Sequence, residues 1–417
     1  MTVVTNWAGN VSFGAARFHQ PDSVAELRRI VALSSRVRAL GTGHSFNLIA
    51  DTTGSLISLA RLPTIIALDA ERARVTVSAD VTYGELASHL HGAGYALANL
   101  ASLPHISVAG ACATGTHGSG DSVGNLATAV SAIEMVTADG ELVAFEKGAG
   151  DFAGAVVALG ALGIVVSMSL DIEPTYYVSQ HVYDDMRLDQ LYEHFDEIFA
   201  SGYSVSLFTT WRGTAKQGPL ISQAWVKQRV AEPGEPPPAR FGARLADGPR
   251  HPVPGRSPVH CTQQLGVPGP WHQRLPHFRL DYTPSAGREL QSEFLLPRSA
   301  AVPAIRAIDQ INDVVAAALQ ISEIRTIAAD DLWLSPSYRR DSVGLHFTWI
   351  DDMRAVAPVI ARVEEQLAPF DPRPHWGKLF TLPGRYDRLP DFLNLMQHYD
   401  SAGKFRNKFL DNYLRQA

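Results

Sequence analysis

Cysteine is scarce in this 417-residue chain: Cys112 and Cys261 are the whole supply, too few for a disulfide framework. Two such cysteines would suit a reducing compartment. The opening stretch, MTVVTNWAGNVSFGAARF, lacks a basic segment followed by an apolar one, so no secretory leader is expected and a cytoplasmic protein is. Long apolar runs are missing too. The most apolar stretch, Phe152 to Leu170, is interrupted by Gly154, Gly160 and Gly163. A membrane helix needs about 20 largely unbroken apolar residues, so this stretch reads as strand-turn-strand packing. Basic residues are dispersed and the net charge is -6, which excludes nucleic acid and anionic membranes as expected partners. No Gly-Lys-Ser or Gly-Lys-Thr occurs, so there is no P-loop, and no G-x-G-x-x-G dinucleotide fingerprint occurs either. No His, Cys and Asp cluster has zinc spacing. His89 and His91 are adjacent on a predicted helix, but residues i and i+2 point apart. No metal is expected.

With 46% hydrophobic residues the chain can bury a sizeable core, and its length fits two or three domains at roughly 150 residues each. Residues 22–33 read as a helix with Ser23 and Glu26 as a capping box, and residues 82–91 as a second with Thr82 and Glu85. Short strands are expected at residues 36–40, 56–59 and 74–78. Residues 129–138 and 142–145 should form a hairpin around Ala138-Asp139-Gly140. Near Pro174 aromatics become frequent, and a Pro-rich loop follows, with Pro233, Pro236, Pro237, Pro238, Pro249, Pro252, Pro254 and Pro258. From Glu289 strands and helices resume. The boundaries that follow are 1–174, 175–374 and a C-terminal piece, 375–417, returning to the first domain. The fold class is α+β.

Two glycine-rich stretches, Gly41 to Phe46 and Val108 to Gly120, could bring backbone N–H groups close to a phosphate. Tight turns in a β-rich domain give the same composition. His44, between Gly43 and Ser45, is either the informative residue of the first stretch or an ordinary loop histidine.

The segments RALGTGHSFN, LPHISVAGACATGTHGSG and HWGK (375–378) resemble the vanillyl-alcohol oxidase family of flavoproteins, and within it the alditol (xylitol, sorbitol) oxidases. TNWAGN near the start, GVPGPWHQRLPHFR (266–279), SEIRT (322–326), HFTW (346–349) and AGKF (402–405) extend the likeness over nearly the whole chain. The resemblance implies an FAD-binding α+β domain and a sheet-based cap that carries the substrate. It implies that His44 bonds covalently to the flavin. Gly41, Thr42, Gly43, Ser45 and Phe46 would flank the pyrophosphate. Ser107, Gly110, Thr114, Gly115, Thr116, His117, Ile164 and His375 would line the cofactor, and Ser102 would face both flavin and substrate. Relatives carry polar or branched residues where this chain has Ala111 and Cys112, an exchange expected to affect packing only. An N-linked imidazole should raise the flavin's reduction potential, which suits oxidation of an unactivated alcohol.

On a strand, Glu323 and Arg325 share one face and Ile324 the other; His346 and Thr348 likewise share a face opposite Phe347 and Trp349. An ion pair on a solvated sheet gives this pattern too, but the flanking Ile321, Ile324 and Ile327 point to partial burial, where charges are rarely idle. With Lys378, these groups suit a polyol, which offers only hydroxyls. Arg325 and Lys378 would stabilise the alkoxide at C1 as a hydride leaves for the flavin. Glu323, Ser102, Thr348 and His346 would hold the other hydroxyls. Oxygen would then reoxidise the flavin to give hydrogen peroxide, with small Ala101 leaving it a path; a packing alanine reads identically. A sugar-lactone oxidase or dehydrogenase is the competing reading. A non-catalytic carbohydrate-binding protein, stacking sugars on Trp211, Trp271, Trp333 or Trp376, is the remote one. A monomer is expected.

Overall fold

The structure is a computed structural model and describes residues 4–214, 218–230, 241–282 and 289–414. The first part builds two larger sheets and a two-stranded pair of Tyr95–Ala96 with Glu173–Pro174. Arg17–His19, Ser55–Ser58 and Val37–Leu40 form a small parallel sheet with Ser55–Ser58 in the middle. Ile66–Asp69, Arg74–Ser78, Ile164–Asp171, Val130–Val136 and Leu142–Glu146 form an antiparallel sheet in that spatial order. Ile164–Asp171 alternates buried and half-buried residues, the period expected of a strand with one face on the core. The predicted hairpin around Ala138-Asp139-Gly140 is present, with Gly140 at φ +85°.

Both predicted helices form. Tyr83–Gly92 has the complete capping box, Thr82 and Glu85 each accepting from the other's backbone N–H. Val24–Leu33 has half of one: Ser23 Oγ accepts from Glu26 N at 3.3 Å, but the Glu26 carboxylate accepts from Asp22 N instead. The stretch read as strand-turn-strand is helix, turn and strand. Phe152–Val156 is a short helix, Leu159 and Gly160 turn with φ of 55° and 65°, and Ile164–Asp171 is the single strand. Arg38 explains the turn, because its guanidinium takes the carbonyls of Leu159 (2.6 Å) and Gly160 (2.8 Å), leaving them unavailable to a sheet partner.

The second part is one ten-stranded sheet. Its centre runs Gly218–Val230, Ser204–Thr209, Leu319–Ile327, Ser342–Ile350, Glu289–Pro297, all antiparallel neighbours. Helices Ala301–Asp309, Asn312–Ala318 and Met353–Leu367 pack together beside it. Of the proline-rich loop, Pro233, Pro236, Pro237 and Pro238 lie outside the described residues.

The C-terminal residues touch the first part again. Lys404 Nζ donates to the carbonyls of Val31 (2.8 Å) and Ala32 (3.2 Å). Arg38 donates to Phe405 O at 2.9 Å, and Asn407 Nδ2 reaches the carbonyls of Leu48, Ile49 and Asp51. AGKF is thus a backbone clamp. Among the described residues no helix is long and apolar enough to cross a membrane.

Candidate active site

A single cavity of about 540 Å³ runs between the glycine-rich loops and the large sheet. Its loop wall contains Gly41, Thr42, Gly43, His44, Ser45, Phe46, Ala101, Ser102, Ser107, Gly110, Thr114, Thr116 and His117. Its sheet wall contains Glu293, Glu323, Arg325, His346, Thr348, His375 and Lys378. Of the positions singled out in the sequence, Gly115 and Ile164 do not line it. Ile164 is buried in the small core under the Val24–Leu33 helix, and Gly115 is a left-handed turn against Pro336.

The loop wall is held by hydrogen bonds to its backbone. TNWAGN grips GTGHSF: Trp7 N donates to Gly43 O (2.8 Å), Asn6 Nδ2 to Ser45 O (2.9 Å) and Asn10 Nδ2 to Phe46 O (2.8 Å). Phe46 N donates to Gly377 O at 2.7 Å, which fastens the HWGK turn to the same loop. Glycines let this loop and the next stretch close around the Ser107 hydroxyl. A Cβ on Gly41 would sit 2.7 Å from Ser107 Oγ, and one on Gly110 would sit 2.8 Å from the same atom. Gly43, at φ +71°, turns the chain so that His44 stacks on Trp7 with centroids 5.1 Å apart. Burial and nearby His105 push the His44 imidazole down to about 4, leaving it neutral, and its Nδ1 lies 3.0 Å from Thr42 Oγ1. Close-approach glycines, a loop wall without charged side chains between Gly41 and Phe46 or between Ser107 and His117, and a neutral imidazole fit a flavin dinucleotide, whose pyrophosphate backbone amides can hold.

The sheet wall is built from charges buried together. Glu293, which the sequence reading missed, is their hub and is 1% exposed. Its carboxylate accepts from Lys378 Nζ (2.6 Å) and Arg325 Nη2 (2.8 Å), and His117 Nε2 approaches at 3.2 Å. The available signal was a lone Glu in the apolar strand run FLL of SEFLL. Burial alone would raise this carboxyl, but Lys378, His117 and Arg325 hold it well below the usual range. Glu323 is held low in the same way, its burial outweighed by Arg325 and His277; His277 Nε2 lies 2.8 Å from Glu323 Oε1.

The sheet register creates this convergence. Glu323 pairs with His346, and His346 pairs with Glu293 on the other side, so three side chains from three neighbouring strands stand in one row. Lys378 Nζ reaches His346 Nδ1 at 2.7 Å, and His346 Nε2 lies 3.1 Å from Thr348 Oγ1. The predicted face-sharing pairs therefore form, while Phe347 and Trp349 stack on the opposite face at 5.1 Å. Burial and Lys378 push His346 to about 4; burial lowers Lys378 against the pull of Glu293. Arg325 Nη1 also reaches Ser102 Oγ (3.4 Å), linking the two walls. The tryptophans suggested for sugar stacking are core residues: Trp211, Trp271, Trp333 and Trp376 are at most 8% exposed. Cys112 packs on Tyr83 (3.4 Å) away from the cavity.

Residues 15–146 match a family model described as an FAD binding domain, and residues 284–413 match one described as D-arabinono-1,4-lactone oxidase. The chain is 50% identical to an alditol oxidase from Streptomyces sp., over 99% of both chains. It is 28% identical to an L-gulono-1,4-lactone dehydrogenase from Mycobacterium tuberculosis, over 97% of both. Its fold matches a solvent-stable cholesterol oxidase with a TM-score of 0.76 at 15% identity, covering 98% of this chain and 97% of that one. A second cholesterol oxidase, from B. sterolicum, matches at 0.73 and 14%, covering 99% and 96%. The α+β, two-domain flavoprotein fold is thus the one expected, and the chain belongs to the alditol oxidase family of FAD-dependent oxidoreductases.

Proposed function

We propose that this enzyme oxidises the C1 hydroxyl of alditols such as xylitol and sorbitol to the aldose, with oxygen reduced to hydrogen peroxide. The observation that carries the reading is one cavity shared by a neutral histidine in a glycine loop and a buried Glu-Arg-Lys-His-Thr array. FAD, when bound, supplies the two-electron acceptor that oxygen then reoxidises. His44 is the residue for its covalent attachment. Gly41, Thr42, Gly43, Ser45, Phe46, Ser107, Gly110, Thr114, Thr116, His117 and His375 surround it, with Gly115 and Ile164 supporting from behind. In this reading residues 1–174 and 375–417 hold the cofactor and residues 175–374 the substrate.

Arg325 and Lys378 direct positive charge at the oxygen on C1, in a setting where preorganised donors act strongly. Both are already ion-paired to Glu293, so they are fixed before substrate arrives. Ser102, Glu323, His346 and Thr348 supply donors and acceptors for the remaining hydroxyls. A buried site of this kind penalises any analogue that lacks a hydroxyl it expects. A cytoplasmic monomer that touches neither nucleic acid nor membrane completes the proposal.

The match of residues 284–413 to the D-arabinono-1,4-lactone oxidase model gives a lactone substrate as the second reading. Two measurements decide. Turnover on xylitol should exceed that on a sugar lactone; the reverse order replaces the first reading by the second. After acid denaturation the yellow colour should stay with the protein and be lost from the pellet of His44→Ala. Colour released from the wild-type protein would remove His44 from its role, and a colourless protein that regains none with FAD would end the flavoenzyme reading.

A further inference from the structure

We propose that Lys227 and His277 form a buried hydrogen-bonded chain that orients the Glu323 carboxylate for the substrate, making His277 a positioning residue. The inference rests on the alditol reading above. His277 belongs to GVPGPWHQRLPHFR, lines the cavity and meets Glu323 there, and Lys227 stands behind it.

The chain joins three elements. Lys227, on the Gly218–Val230 strand, is 1% exposed; His277 lies in the loop after Trp271, and Glu323 is on Leu319–Ile327. Lys227 Nζ donates to Leu275 O and lies 3.5 Å from Pro276 O and 3.3 Å from His277 Nδ1. The ionised Glu323 carboxylate only accepts, so the ring proton sits on Nε2 and Nδ1 is the acceptor toward Lys227. That N–H donates to Glu323 Oε1 at 2.8 Å. Burial and Lys227 keep the His277 imidazole neutral, at about 4, so the chain delivers one directed donor to the carboxylate. Burial brings Lys227 to about 7, and both of its protonation states keep N–H donors for Nδ1.

The ring has little freedom to turn. Phe208 (5.5 Å, 68°) and Trp225 (5.2 Å, 73°) pack edge-on against it. Its own backbone is fixed as well: Thr262 N donates to His277 O at 3.0 Å, and His277 N donates to Ser102 O at 3.0 Å. One residue therefore sets both Glu323, through its side chain, and the Ser102 peptide, through its backbone. With Oε1 occupied by His277, the other Glu323 oxygen is left to meet a hydroxyl. This is the arrangement by which a supporting group fixes a binding group.

The test is a double-mutant cycle on the flavin-loaded enzyme, reading anaerobic flavin bleaching against xylitol concentration. Losing a hydrogen bond to a charged group typically changes binding by about 10- to 100-fold, so His277→Leu should raise half-saturation by that factor. His277→Gln, whose amide reaches the Nε2 position, should restore most of the loss. In a Glu323→Gln background the Leu substitution should add little, because it acts through a carboxylate no longer there. Penalties that multiply instead would overturn the inference. If His277→Leu does not retain its flavin spectrum, Lys227→Met carries the same cycle, with the same non-additivity expected. A wild-type enzyme that xylitol does not bleach sinks the alditol reading and this chain with it. Bleaching with multiplying penalties sinks only the chain.

Discussion

Along the wall of Gly41–Phe46 and Ser107–His117, the cavity meets glycines, hydroxyls and imidazoles; across from it, the sheet presents Glu293, Glu323, Arg325 and Lys378. The first wall takes its shape from backbone hydrogen bonds and close approaches such as Gly41 to Ser107. The second takes its shape from charges that satisfy one another out of water. The contrast teaches how differently the two can be perturbed. A backbone-built wall tolerates many side-chain changes but few added Cβ atoms. A charge-built wall fails when one member is removed, since a buried partner is left uncompensated.

The largest effect should come from the charge-built wall. Arg325→Met and Lys378→Met should each lower kcat/KM for xylitol by about 10²- to 10³-fold, the scale set by loss of a preorganised donor to a developing oxyanion. Near-normal turnover in both variants would break the comparison, by showing that the charges only hold the sheet together. Steady-state peroxide production reads this directly.

Acid should expose the same wall by another route. On that wall, His277 and His346 are pushed to about 4, chiefly by burial. An unfolded histidine titrates near 6.5, so between about 6.5 and 4 the unfolded chain binds more protons than the folded one. Stability should therefore be intact above pH 6.5 and fall as pH drops toward 4. A thermal midpoint that stays level from pH 7 to 4.5 would show that these imidazoles are accessible and charged in the fold.

The smallest effect tests the backbone-built wall. Ala101 is 7% exposed at the cavity, where added bulk should obstruct oxygen rather than substrate. Ala101→Leu should slow flavin reoxidation several-fold and leave anaerobic reduction by xylitol unchanged, as stopped-flow absorbance would record. Equal slowing of both half-reactions would make Ala101 a packing residue.

The glycine-rich wall was legible because its parts are contiguous: GTGHSF and the stretch from Ser107 to His117 each occupy a few turns of chain. The pairs on the sheet wall were legible where a strand's period of two links neighbours, as for Glu323 with Arg325 and His346 with Thr348. Glu293 was missed because nothing local marks it. It becomes the hub only through register with His346 and through the return of Lys378. The turn in the Phe152–Leu170 stretch has a distant cause of the same kind, since the Arg38 guanidinium holds the carbonyls of Leu159 and Gly160.

By itself, the sequence determined the local elements, the two glycine loops, the neutral composition around His44 and which side chains share a strand face. These follow from periodicity, capping and steric rules that act within a few residues. Only the tertiary structure decided which charges meet. Glu293, Glu323, Arg325 and Lys378 are separated by up to 85 residues in the chain, yet antiparallel register and the HWGK turn place them in one buried cluster. Ion pairing depends on distance in space and on exclusion of water, and neither is written in local sequence.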